Sequence, residues 1–258
     1  MPRATAVYYP PLRRGLDGLL SRSLGWFLLF LLALGAVAAI VLRYLGPTMI
    51  GLAFDDDQRD APYYLVSLVK PDEAASGTQG FAALLAQLVA VEEGHLLWRG
   101  VTLQVAEGRM RDEWQGMWLF EFARGGGVVE MLTGSGYRTV ADSYAGSKRL
   151  MLGTRTAPDG LAGTGAAVMS LFEVKQQHEF AGEVRALAAN LVSFQGSLIW
   201  DAPVADLEGN APFNRLLVFE FVSRASAEAW LRDPQTVTQR ALIRRVASSA
   251  VTLVLQPS

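Results

Sequence analysis

Two glutamates sit in the same short phrase 99 positions apart: Glu121 in Phe120-Glu121-Phe122 and Glu220 in Phe219-Glu220-Phe221. A carboxylate between large apolar neighbours is a candidate general acid or base, because a low-dielectric surround disfavours its charged form. Two such groups sharing one cavity could move a proton on an apolar compound with no cofactor at all. Glu121 and Glu220 are therefore the catalytic candidates. Trp98 and Trp200 recur in the same way, and each could line a pocket for an apolar ligand. Tyr137 could add a hydroxyl to that pocket. Plainer roles fit the same residues: carboxylates paired at a rim with Arg, Lys or water, and aromatic rings that only pack.

The remaining inventory is thin. Cysteine is absent, which excludes disulfides, thiolate metal sites and thiol nucleophiles. His95 and His178 do not correspond between the two phrases, and neither has a second ligand at metal spacing, so no metal or haem is expected. With so few histidines no Ser-His-Asp arrangement can be assembled. The glycines of Thr133-Gly134-Ser135-Gly136 interrupt a helix instead of joining a strand to one, so they do not cradle a phosphate. No cofactor motif is present. A net charge of −2, from 23 basic and 25 acidic residues, offers no phosphate-neutralising face, and nucleic acid is not an expected partner. Arg240, Arg244 and Arg245 form a basic stripe that reads as a solvated helix face.

The elements that must position these groups follow from periodicity. Tyr63–Lys70 reads as a strand, and Phe81–Glu93 as a helix with its apolar residues at helical spacing. His95–Val105 and Met117–Ala123 read as a hairpin. A helix in two pieces, punctuated by Gly134 and Gly136, and a strand over Lys148–Thr156 complete the set. After a Gly/Pro-rich bridge the order recurs. Val168–Lys175 is a strand, Phe180–Val192 a helix, Ser197–Leu207 and Asn214–Val222 a hairpin, then come a helix broken at Pro234 and a strand over Ala250–Gln256. Matched landmarks include Gly94/Gly196, Trp98/Trp200 and Glu107-Gly108/Glu208-Gly209. The order β-α-β-β-α-β is the ferredoxin-like arrangement, an antiparallel sheet with both helices on one face. Its bare face must be covered. Two copies in one chain can cover each other. Strand alternation then puts Trp118, Phe120 and Phe122 under the helices and Leu119 and Glu121 toward the shared interior, with Leu217 to Phe221 behaving likewise.

Ahead of these units, Ser23–Leu42 runs twenty residues without a charge, enough for a helix of about 30 Å, the thickness of a bilayer's hydrocarbon core. The flank before it has Arg3, Arg13, Arg14 and Arg22 against Asp17, net +3; residues 43–60 have net −2. Positive residues stay cytoplasmic. The expected organisation is a cytoplasmic tail (1–22), a transmembrane helix (23–43), a juxtamembrane linker (44–61), a first ferredoxin-like unit (62–157), a linker (158–166) and a second unit (167–258). The fold class is α+β, an anchor followed by two units packed sheet-to-sheet as a pseudo-dimeric α/β barrel. The protein would sit in a bacterial inner membrane with its C-terminal part in the periplasm. Gly35 and Ala39, four apart, could let two anchors pack as a homodimer.

The stretches "AEGRMRDEWQGMWLFEFARGGGVVEMLTGSGYRTV" and "LEGNAPFNRLLVFEFVSRASAEAWLRDPQTV" carry a resemblance. They resemble a family of small bacterial domains of unknown function in the dimeric α/β-barrel superfamily. The shared pattern is Glu-Gly before a polar turn, an apolar strand ending in Glu-Phe, and a helix broken near an aromatic. It covers Ala61 to Pro257, about three quarters of the chain. The break keeps its tyrosine, Tyr137, in the first copy and its proline, Pro234, in the second. The resemblance implies the barrel fold. The wider superfamily spans cofactor-free monooxygenases, haem-handling enzymes and ligand-binding modules, so the fold alone selects none of them. The sequence favours a membrane-anchored binding or accessory module holding a small apolar molecule or a membrane-protein partner. The alternatives are a cofactor-independent, monooxygenase- or isomerase-like enzyme working in the barrel cavity, and a structural subunit of an envelope complex.

Overall fold

In the computed structural model, residues 59–70, 78–107, 114–144, 148–161 and 165–258 are described. The first half runs β1 (Tyr63–Lys70), α1 (Thr78–Val91), β2 (Gly94–Glu107), β3 (Gly116–Phe122), α2 (Gly125–Thr133), α3 (Ser135–Ser143) and β4 (Lys148–Thr154). The second half follows the same order. Its elements are β5 (Ala166–Val174), α4 (Gln177–Ala189), a 3-10 turn (Leu191–Phe194), β6 (Gly196–Pro203), β7 (Ala205–Glu208), β8 (Arg215–Phe221), α5 (Arg224–Arg232), α6 (Pro234–Val246) and β9 (Ala247–Pro257). The expected transmembrane segment, 23–43, lies outside the described residues. Among the described residues no helix is long and apolar enough to cross a membrane.

The strands form one antiparallel sheet in the order β6-β8-β5-β9-β2-β3-β1-β4-β7. Its two ends are the same stretch of chain, since only Val204 separates β6 from β7. The sheet therefore closes into a barrel. Each half contributes the ferredoxin-like order, β4-β1-β3-β2 and β9-β5-β8-β6. The expected face-to-face arrangement is accompanied by something the periodicity did not indicate: the halves are also laddered edge to edge. The first part of β2 pairs with β3, and its last part, Gly100 to Glu107, pairs with β9 of the other half. The run β6–β7 does the same in reverse, lying first on β8 and then on β4. This is why β2 extends past the expected Val105. Its last residues are ordered by partners some 150 positions away.

Three apolar clusters result. The barrel interior takes Val66, Leu68, Met117, Leu119, Met169 and Val218 among others from both halves. One helix–sheet layer centres on Phe81, Phe120 and Phe122, and the other on Phe180, Phe219 and Phe221. The strands β1, β3, β5 and β8 are buried on both faces, so they read as nearly unbroken apolar runs instead of clean alternations.

Two devices repeat in both halves. The turn after α1 ends at Glu93 (φ 59°), and the turn after α4 ends at Gln195 (φ 53°), both left-handed. The glycine after each, Gly94 or Gly196, lies against the Phe122 or Phe221 ring, where a Cβ would come within 3.0 or 2.5 Å. Next, a β-bulge shifts the register between Leu96 and Trp98 against β3, and between Leu198 and Trp200 against β8. Each bulge inserts one residue, and one residue is enough to turn the following side chain to the other face. Without it Trp98 and Trp200 would face the helices. With it they face the barrel interior.

Candidate functional site

Glu121 and Glu220 lie on strands β3 and β8, which antiparallel pairing runs in the same direction on opposite sides of the barrel. Both carboxylates thus belong to the same mouth. Glu121 has Tyr64 and His95 as its ladder neighbours. The Tyr64 hydroxyl donates to Oε1 at 3.2 Å, and His95 Nε2 lies 3.2 Å from Oε2. Burial, and then the Glu121 charge, raise the Tyr64 pKa and keep the phenol protonated. Glu220 has Ala167 and Ser197 in the equivalent places. The Tyr-Glu-His cluster is therefore built in the first half only, and Glu121 is engaged by side chains of its own half. Tyr64 and His95 were not among the sequence candidates as partners. The pairing of strands 57 residues apart is what assembles them.

Trp98 and Trp200 lie below that mouth, 6% and 2% exposed. Trp200 Nε1 donates to the Thr156 carbonyl at 2.8 Å, and Tyr64 meets its ring edge-on with centroids 6.3 Å apart. Deeper in, Leu68, Met117, Leu119, Met169, Leu171 and Leu253 are each 0% exposed, so no water-sized void adjoins them. An eight-stranded barrel is just wide enough for its own side chains to fill, and this one is filled. The tryptophans are part of that filling.

Tyr137 belongs to a different cluster. Its hydroxyl donates to the carboxylate of Glu208, at the end of β7, and touches the Met151 sulfur at 3.5 Å. Burial raises the Tyr137 pKa first, with the Glu208 charge adding to it. Arg149 joins from β4, with Nε at 3.0 Å and Nη2 at 2.9 Å from Glu208 Oε1, and its Nη1 donates to the Ala141 and Tyr144 carbonyls. Glu208 comes from the second half, whereas Tyr137 and Arg149 come from the first. The reciprocal arrangement stands at the other seam. Glu107, at the end of β2 in the first half, is held by Arg240 and by Arg244 at 2.5 Å, both on α6 of the second. Burial lowers the Arg240 pKa, and the Glu107 charge opposes that. The basic stripe on α6 is thus solvated only in part: the Arg240 side chain is 15% exposed and reaches inward to a carboxylate, whereas Arg244 and Arg245 are exposed. The matched Glu-Gly pairs of the sequence mark these seams. Their recurrence was visible, but a carboxylate's partners in the other half were not.

One sizeable opening lies outside the barrel. A groove of about 540 Å3 runs between α1 and β2, walled by Ala82, Ala83 and Ala86 on the helix and by Leu96, Arg99 and Val101 on the strand, with Trp118 among its lining residues. Leu96 and Val101 are 43% and 49% exposed, unusual for large apolar side chains this close to a core. Arg99 uses Nε to donate to the Ser258 main-chain oxygen (3.1 Å) and hydroxyl (2.9 Å). Between α5, α6 and the second sheet, by contrast, only about 10 Å3 remains beside the Ser170–Thr252 hydroxyl pair, close to the limit for a single water. Among the described residues no cluster of three His, Asp or Glu could hold a metal.

No protein-family model matches the chain, and no curated protein matches it in sequence. Solved structures do match in fold. An anthrone oxidase-like protein aligns over 77% of this chain and 94% of its own at 11% identity, with a TM-score of 0.50. A mutant chlorite dismutase from Candidatus Nitrospira defluvii aligns over 79% and 95% at 10% identity, with a TM-score of 0.48. At such identities the likeness concerns fold alone. The described chain is a mixed α+β antiparallel structure with six helices, similar to the dimeric α/β barrel folds.

Proposed function

We propose that this chain is a membrane-anchored, outward-facing binding or accessory module built from two copies of one ferredoxin-like unit, with its binding surface on the outside of the barrel. The observation that carries this reading is the closely packed interior: a barrel filled by its own side chains acts as a scaffold, and a space of ligand size lies outside it in the α1–β2 groove. The anchor rests on the uncharged run Ser23–Leu42 and its flanking charges, and tethering raises the effective concentration of a module near membrane partners. Native mass spectrometry of the gently extracted full chain tests the reading. A co-purifying small molecule or subunit that is lost when Ala83, on the groove wall, is replaced by Trp supports it. A small molecule retained by A83W would place binding elsewhere and overturn it. A reporter fused after Ser258 should function only outside the cytoplasm; a reporter active only in the cytoplasm would overturn the orientation.

A second reading, a cofactor-independent enzyme, is favoured by one arrangement: the carboxylate of Glu121 touched by a protonated phenol and an imidazole. Its chemistry would lie at the barrel mouth and not between the sheets. If a turnover is found, a Glu121→Gln/Glu220→Gln variant with unchanged rate would remove this proposed base.

A further inference from the structure

The groove also shows what kind of head group it is made for. Its lining is mostly apolar, with Gln115, Arg99 and Ser258 as the polar exceptions and Arg99 as the cation among them. Arg99 spends Nε on Ser258, while its two terminal amines bond nothing among the described residues.

The second half shows how the same surface looks when it is closed. Phe81 and Phe180 seal α1 and α4 onto their sheets at matching places, which aligns Ala83 with Gly182 and Ala86 with Arg185. Arg185 lies back along its own helix there, with Nε donating to the Ala181 carbonyl at 3.3 Å. On the strand, Arg99 pairs across to Trp118 in the ladder, and its counterpart is Asp201, which pairs across to Leu217. Asp201 has its own cation, Arg215, at 2.6 Å. Arg215 stands where the first half has Gly116. In the second half, then, an ion pair is complete and an arginine covers the helix wall. In the first half three alanines leave the wall open, the strand position carries the cation, and the residue beside it is a glycine with no carboxylate to offer.

We infer that the α1–β2 groove binds a small molecule with an apolar body and one carboxylate head, the body lying along Ala82, Ala86, Leu96 and Trp118 and the head taken by the terminal amines of Arg99. A planar guanidinium offers two parallel N–H donors that match a carboxylate, which a neutral head cannot exploit. A volume of about 540 Å3 suits a molecule of that size. This assignment rests on the groove being the binding surface proposed above, and the test separates the two.

The probes are decanoate and decanol, titrated calorimetrically into the full chain held in phosphatidylcholine nanodiscs, with empty nanodiscs as the blank. Decanoate should bind roughly tenfold or more tightly than decanol. Arg99→Gln, an exposed substitution, should erase that difference. Ala83→Trp should abolish both. Equal binding of acid and alcohol, unaffected by R99Q but lost in A83W, would overturn the carboxylate assignment and leave the groove standing. Binding that A83W does not touch would overturn the groove itself. A response to anionic-lipid vesicles that R99Q abolishes, with none to decanoate, would overturn the small-molecule assignment in favour of a membrane surface.

Discussion

Glu208 illustrates how much one side chain can hold. Its carboxylate accepts from Tyr137 and Arg149, and the Arg149 side chain is only 13% exposed. Removing the charge while keeping the shape leaves a mostly buried guanidinium without its anion, and such half-broken pairs are costly. Glu208→Gln is expected to lose about 2–4 kcal/mol of stability in urea denaturation. Tyr137→Phe, which removes one hydrogen bond and keeps the ion pair, should lose about 1 kcal/mol. If the two variants unfold at the wild-type midpoint, the seam contributes no stability. At this scale the sequence was legible in part. It showed that Glu107 and Glu208 correspond, and it put Leu119 and Glu121 on the inward face. It could not show that Arg240 turns to Glu107, because a helix with arginines four apart looks the same whether they meet water or another strand. Nor could it supply Tyr64 and His95 to Glu121, since that contact depends on strand register.

At the scale of elements the sequence was most informative where pattern and packing are local. The strand Tyr63–Lys70 was read with its observed ends, and the helix break at Gly134 follows from a residue that ends one helix and begins the next. It was least informative where an element is finished by the other half, as with the end of β2 and the whole of β7. The bulges at Leu97 and Ile199 were also hidden, because an inserted residue looks like ordinary strand. They have a measurable consequence. Deleting Leu97 should turn Trp98 toward the helices, leave a cavity in the barrel interior and cost about 3–5 kcal/mol, the range for losing a buried tryptophan. The near-ultraviolet circular dichroism of the tryptophans should change with it. A soluble deletion variant with wild-type stability would mean that the bulge does not set the facing of Trp98.

Across the whole molecule, one barrel is made by two halves that each complete the other's sheet. Neither half on its own has a satisfied edge: the first would leave β4 and the end of β2 open, and open edges invite pairing with other chains.

The crossing strands make the covalent joint between the halves dispensable once folding is over. Arg155, itself exposed, opens the stretch that leads from β4 to β5, and trypsin should cut there. The nicked protein should still travel as one particle in gel filtration, held by the β2–β9 and β4–β7 ladders, and should fall into fragments only in denaturant. A protease scar in that loop would then be silent in the native state and would reveal itself only when the pieces are asked to find each other again.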